Sequence, residues 1–102
     1  MDIEEIEENI TIAARLLKAL SNEKRLLIVC TLFKGEKSVG ELEEIVGLSQ
    51  SALSQHLARL RRDRVVNTRR AAQTIYYSFH DDAANRVLEC LYTIYCQEGV
   101  CD

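Results

Sequence analysis

Apolar residues recur at helical spacing through most of this chain and give way to a strand-like pattern in one place only. Ile6, Ile10, Ala13 and Leu17 share a stripe that Ile3, Leu16 and Leu20 widen, predicting a first helix from about Ile3 to Leu20. Glu4, Glu5, Glu7 and Glu8 crowd its beginning, where the positive end of the helix dipole favours acids. Ser21-Asn22 breaks the stripe and offers a cap to a second helix, about Glu23 to Phe33. Its buried side is expected to hold Leu26, Leu27, Val29, Cys30 and Phe33, and Lys34-Gly35 ends it. Ser38-Val39-Gly40-Glu41 has the form of a capping box and opens a short third helix to about Val46. Gly47 supplies a sharp turn, and Ser49 caps a fourth helix from Gln50 to about Asp63. Two short helices joined by a glycine turn form a helix-turn-helix. Val65 to Arg70 and Thr74 to Phe79 then read as strands joined by Ala71-Ala72-Gln73 into a hairpin. Asp81 or Asp82 caps a last helix to about Gln97, apolar on more than one side through Ala83, Val87, Leu88, Leu91, Ile94 and Tyr95. A terminal helix of this kind packs on a partner. The expected fold is mainly α with a small β-hairpin: four helices, two strands and a last helix, a winged helix-turn-helix.

Charge sharpens this picture. The net charge is −3, yet residues 49–73 carry six arginines (Arg59, Arg61, Arg62, Arg64, Arg69, Arg70) against one acid, Asp63. A basic segment inside an acidic protein marks where a polyanion docks. On the fourth helix Leu53, Leu57 and Leu60 take one side, and Ser51, Gln55, Ala58 and Arg62 the other, flanked by Ser54 and Arg59. Polar groups at the helix start (Gln50, Ser51, Ser54, Gln55) suit base edges, and Arg59 and Arg62 suit phosphates. His56 falls beside the buried stripe, where packing, phosphate contact and base reading all stay open. Arg69, Arg70 and Gln73 belong to the hairpin. The two arginines alternate faces along a strand, which leaves room for one of them at DNA.

The length of 102 residues fits one domain spanning residues 1–102, with a core that dimerisation would help to stabilise. No apolar run is long enough to cross a membrane, and the acidic start does not resemble a signal peptide, so a cytoplasmic location is expected. Cys30, Cys90, Cys96 and Cys101 would then stand in a reducing compartment without a permanent disulfide framework. The sequence contains no Cys-x-x-Cys pair, Gly-x-Ser-x-Gly elbow, phosphate-cradling glycine loop or metal-protease helix, so neither an enzyme nor a resident cofactor is expected.

The run Leu48-Ser-Gln-Ser-Ala-Leu-Ser-Gln-His-Leu-Ala-Arg-Leu-Arg-Arg-Asp63, the Thr68-Arg-Arg of the wing and Gln73-Thr-Ile-Tyr-Tyr77 resemble the ArsR/SmtB-type winged-helix repressors. Lys18-Ala-Leu-Ser-Asn-Glu-Lys-Arg-Leu26 and Ser38-Val-Gly-Glu-Leu42 extend the likeness over nearly the whole chain. The resemblance implies a homodimer built on the first and last helices, binding a palindromic operator in double-stranded DNA and releasing it on a signal. Metal-sensing members carry either a Cys-x-Cys pair in the third helix or Asp and His ligands along the last. Here the third helix has no cysteine and the last no histidine, so no metal site is expected. Arg25-Leu-Leu-Ile-Val-Cys30 and Leu91-Tyr-Thr-Ile-Tyr-Cys96 resemble instead the persulfide-responsive branch. That likeness carries a redox-sensing pair onto Cys30 and Cys96, linked by reactive sulfur species through a disulfide or a longer sulfur bridge. The nodulation regulators of rhizobia resemble the DNA-binding segment almost as well and imply the alternative, a repressor without thiol switching.

Overall fold

The computed structural model describes residues 1–96. Helix α1 (Ile3–Leu20) starts where the Asp2 side chain accepts the Glu4 amide. Its last carbonyls are taken by a residue of the next helix: Arg25 Nε donates to Ala19 O at 2.7 Å and Nη2 to Lys18 O at 3.4 Å. Helix α2 (Glu23–Phe33) starts at Asn22, whose side chain accepts the amides of Lys24 and Arg25. The capping box at Ser38 forms in full and opens α3 (Val39–Val46). Gly47 closes α3 in the left-handed conformation at φ 72°, a position that favours glycine. Ser49 then accepts the Ala52 amide and starts α4 (Gln50–Arg62).

Strands β2 (Val66–Ala71) and β3 (Thr74–Phe79) form the expected hairpin; β3 has the expected bounds, β2 lies one residue later than expected, and the turn shortens to Ala72-Gln73. A short strand unforeseen from the sequence, β1 (Lys37–Ser38), pairs antiparallel with β3, giving the order β1-β3-β2. Two residues ahead of a helix cap carry too little pattern to be read as a strand. Helix α5 (Asp82–Tyr95) is capped by Asp81, and Cys96 is its C-cap; Gln97 lies outside the described residues.

The core gathers Ile28, Val29 and Leu32 of α2, Leu42 and Val46 of α3, Leu53, Leu57 and Leu60 of α4, and Val65, Val66, Ala84 and Leu88 beyond them. The expected inner face of α2 is corrected by this packing. Ile28 is fully buried, whereas Leu27, Cys30 and Phe33 are exposed within one chain. All sides of α2 are apolar, so periodicity alone could not orient it. Along α1 only Ala19 and Leu20 are buried, and Ile3, Ile10 and Leu17 stay more than half exposed. Tyr92, Ile94 and Tyr95 of α5 are exposed too.

Among the described residues, two other than glycine hold a positive φ, Arg64 at 58° and Ala72 at 57°. Arg64 follows α4 in a Schellman arrangement: Val65 N donates to Leu60 O and Arg64 N to Arg61 O, while Leu60 and Val65 both enter the core. Ala72 has no such compensation at the exposed tip of the hairpin. Its left-handed backbone costs about 1–2 kcal/mol relative to glycine, part of which glycine returns through its freer unfolded chain. Ala72→Gly should therefore raise the melting temperature by a few degrees, about 1 kcal/mol or less of stability. An unchanged or lower midpoint in thermal unfolding would contradict this account of the turn.

Candidate nucleic-acid interface

Burial of Leu53, Leu57 and Leu60, each at most 3 % exposed, sets the rotation of α4 about its axis. Gln50, Ser51, Ser54, Gln55, Ala58, Arg61 and Arg62 are consequently all exposed. The first turn of α4 contains no acid and its last turn contains Arg59, Arg61 and Arg62. The positive end of the helix dipole is left uncancelled at the polar start, and the arginines suit the negative end.

The wing stands beside this face. Tyr77 of β3 faces α4 across a groove of about 470 Å³ lined by Ser54, Ala58, Arg61, Arg62 and Tyr77. Arg61 was not singled out from the sequence. Its seven-residue spacing from Ser54, two turns along the same side, is the signal that would have found it. Alternation along β2 puts the buried Val66, then Thr68, then Arg70 on one face, and Thr68 is paired with Tyr77. Arg70 thus shares the groove-side face of the hairpin and is exposed. Gln73 is exposed at the turn.

Three of the residues assigned to DNA from the sequence have engagements within the protein. Arg69 points to the opposite face from Arg70, where Nε and Nη2 each donate to a Glu36 carboxylate oxygen at 2.7 Å. Its guanidinium also lies 4.5 Å from the centroid of the Tyr76 ring. Arg59 Nε donates to Asp63 Oδ2 at 3.0 Å; the Arg59 side chain is 37 % exposed, against 70 % for Arg62. His56 is half-buried, and burial together with the nearby Arg25 charge holds its pKa below the ordinary value, which favours the neutral ring. Arg25, Arg59 and Asp63 form one polar cluster where α1, α2 and α4 meet, and burial and the charge of Arg59 both lower the Arg25 pKa. Sequence spacing could not separate Arg69 from Arg70, because Glu36 lies 33 residues away, whereas the i,i+4 spacing of Arg59 and Asp63 is a local signal that sets Arg59 apart from Arg62.

The sulfur atoms occupy different surroundings. Cys30 is exposed on α2, yet partial burial of its thiol pushes the pKa above the ordinary value. Cys90 is exposed on α5, and Cys96 is half-buried at the end of that helix, its amide donating to Tyr92 O at 2.7 Å. Helices α2 and α5 pack on each other. Cys101 lies outside the described residues. Among the described residues no cluster of three or more His, Cys, Asp or Glu side chains could hold a metal ion, and no helix is long and apolar enough to cross a membrane.

The Arg69–Glu36 clasp has a pH signature. The hydrogen bonds and charge of Arg69 hold the Glu36 carboxyl below its ordinary range. A depressed carboxyl stabilises the fold above its unfolded pKa, and that contribution is lost as pH falls through the folded value. The Arg69 Nε–H resonance should be protected from exchange at neutral pH and lose protection only at a pH below the ordinary glutamate range. Glu36→Gln should remove the transition, and protection that persists unchanged into strong acid would refute the clasp.

Comparison with known proteins agrees with this arrangement. Residues 22–68 match the family described as "Bacterial regulatory protein, arsR family". The chain is 52 % identical over 97 residues to the transcriptional activator HlyU of Vibrio cholerae, covering 95 % of this chain and 90 % of HlyU. The structure of reduced HlyU superposes with a TM-score of 0.85, covering 93 % of this chain and 100 % of that one. The nodulation protein NolR of Rhizobium meliloti is 56 % identical over 88 residues, covering 86 % of this chain and 72 % of NolR. The crystal structure of the transcriptional repressor BigR from Xylella fastidiosa gives a TM-score of 0.88 at 44 % identity, covering 96 % of this chain and all of BigR. With its helix-turn-helix, its wing and this degree of identity, the chain belongs to the arsR family of bacterial regulatory proteins, DNA-binding transcription regulators with a winged helix-turn-helix.

Proposed function

We propose that the protein is a homodimeric transcriptional repressor that binds a palindromic operator through α4 and the wing, and lets go when reactive sulfur species link Cys30 to Cys96. The observation that carries the DNA-binding mode is the groove between α4 and β3, where Arg61 and Arg62 border an uncharged polar helix start. Ser51, Ser54 and Gln55 read base edges in the major groove. Arg61, Arg62 and Arg70 hold phosphates, with Gln50 and Gln73 at the ends of the contact. Arg59, Arg69 and His56 keep the reading surface in place from within the protein. A two-fold dimer presents two α4 helices to successive major-groove half-sites.

The thiol switch rests on the packing of α2 against α5 and on the kinship with HlyU, one of whose structures is specifically of its reduced form. A low-molecular-weight persulfide passes its outer sulfur to one cysteine thiolate and leaves as a thiol. The second cysteine then attacks the protein-bound sulfur of that persulfide, forming the disulfide and expelling hydrogen sulfide. If both cysteines carry the extra sulfur, loss of one hydrogen sulfide leaves a trisulfide. The raised pKa of Cys30 keeps it mostly protonated at neutral pH, so bridging quickens as pH rises. A bridge between α2 and α5 biases the dimer toward a spacing of α4 helices that no longer fits the operator. The 56 % identity to NolR favours a second reading, a repressor of the same geometry without the switch.

Gln55→Ala should relax sequence preference, with a cost of about 1–3 kcal/mol confined to the cognate site. Arg70→Ala should weaken cognate and random DNA alike and reduce the slope of log affinity against log salt by about 0.9. Arg69→Ala should change that slope less than Arg70→Ala. Fluorescence anisotropy on operator and scrambled duplexes separates these effects; an unaltered specificity profile for Gln55→Ala would reject its role. Cys96→Ser should bind the operator like wild type and stay bound after persulfide treatment. Release of that variant at the wild-type persulfide dose would reject Cys96 as a sensing thiol, whereas wild-type operator affinity unchanged by persulfide would leave the second reading standing.

A further inference from the structure

Two grooves run along α4, one on each flank of its outward face. Counting about 100° per residue round the helix from Arg62, Arg61 lies about 100° to one side and Arg59 about 60° to the other. Arg61 borders the groove of about 470 Å³ on the side of the wing. Arg59 and Asp63 border the second, a cleft of about 480 Å³ whose other wall is α1, through Thr11, Arg15 and Lys18. By the same count Ser51 and Gln55 stand between the two grooves.

The cleft on the α1 side carries surplus positive charge. It sets Arg15, Lys18 and Arg59 against Asp63. The Asp63 carboxylate is already engaged by Arg59 Nε at 3.0 Å and Arg62 Nε at 3.8 Å. Arg15 and Lys18 are both exposed, and among the described residues neither forms an ion pair. The end of α1 does not account for them. A helix C-terminus favours cations, but Arg25 already donates to the carbonyls of Lys18 and Ala19, and Arg15 stands ahead of the last turn. Glu8 is the nearest acid before Arg15 on α1, seven residues away, or about 10 Å along the axis.

A helix with its side chains is about 10–12 Å across and the major groove of B-DNA about 12 Å wide, so a helix seated there has a sugar–phosphate backbone along each flank. On the wing side Arg61, Arg62 and Arg70 meet one backbone in the reading above. On the other flank α4 itself offers Arg59, which Asp63 holds. We propose that Arg15 and Lys18 of α1 bind the phosphates of that second backbone, so that α4 is clamped in the major groove by the wing on one side and by α1 on the other. This rests on the reading of α4 as the recognition helix. It extends the DNA-binding surface to two residues outside the basic segment 49–73. Their contacts add affinity and fix orientation without selecting a base sequence.

The full-chain variant Arg15→Gln/Lys18→Gln tests the clamp on a duplex that wild type selects from a random-sequence pool, and on its scrambled counterpart. Its circular dichroism and sedimentation equilibrium should match wild type. In anisotropy titrations over a range of chloride concentrations it should bind both duplexes roughly tenfold or more weakly at low salt, and the slope of log affinity against log salt should become shallower by about 1.8, or 0.9 for each contact. Arg15→Lys/Lys18→Arg should keep the wild-type slope. In ethylation interference the glutamine variant should lose phosphates on the opposite edge of the major groove from those lost by Arg70→Ala. A wild-type slope in the glutamine variant, beside a shallower one in Arg70→Ala, would overturn the clamp and leave α4 and the wing as the DNA-binding surface. A shallower slope with an unaltered interference pattern, or with altered sedimentation, would overturn it too, since the two charges would then act at a distance or through assembly. A wild type that selects no duplex would reject the DNA-binding reading and the clamp with it. If the slope stayed at the wild-type value, and sulfate raised the melting temperature of wild type but not of the glutamine variant, the cleft would belong to a small anion instead.

Discussion

The rotation of α4 is the constraint on which the rest of the structure depends. Leu53, Leu57 and Leu60 lie within one side of the helix and are almost completely buried against the rest of the core. Each such side chain contributes about 1.5–3 kcal/mol by burial, a large share of a stability of about 5–15 kcal/mol. A turn of the helix about its axis would expose these leucines and bury Gln55 and Arg62 without partners. The outward face is therefore held by apolar burial, and side chains chosen for recognition need contribute nothing to the fold.

Two carboxylates, one at the C-cap of α4 and one ahead of β1, hold two of the arginines within the protein. Asp63 holds Arg59 inside the junction of α1, α2 and α4, and Glu36 holds Arg69 on the far side of the wing. Arg61, Arg62 and Arg70 are left on the side of the groove. A cationic surface concentrated this way attracts a phosphate backbone despite the net charge of −3, because charge acts locally once ions screen beyond about 10 Å. The wing is also tied to the rest of the domain twice, by β1 through its pairing with β3 and by Arg69 through Glu36. That gives the hairpin a defined position beside α4.

The surfaces left over are apolar. The stripe of Ile3, Ile10 and Leu17 on α1 and the Tyr92, Ile94 and Tyr95 side chains of α5 are exposed in one chain. The proposed switch links α2 to α5, so a covalent bridge there would act on a helix that carries part of this apolar surface. Regulation through dimer geometry thus needs no contact between the cysteines and DNA.

Much of this was readable from the residues alone. The capping box at Ser38, the caps at Asn22 and Ser49, the glycine turn at Gly47 and the leucine stripe of α4 are local signals, each complete within a few positions, and all of them form. The belonging to the arsR family was legible too, because the motifs run along contiguous stretches. What only the tertiary structure decided involves partners distant in sequence. β1 exists because β3 lies beside it. The inner face of α2 is set by what packs on an evenly apolar helix. Arg69 differs from its neighbour Arg70 because Glu36, 33 residues away, accepts both of its donors. The left-handed Arg64 and Ala72 stand where a sequence reader expects glycine; at Arg64 the core contact of Leu60 with Val65 offsets a local preference. Local propensity is written in short spacings, whereas the choice among equivalent residues is made by whichever groups the fold brings near them.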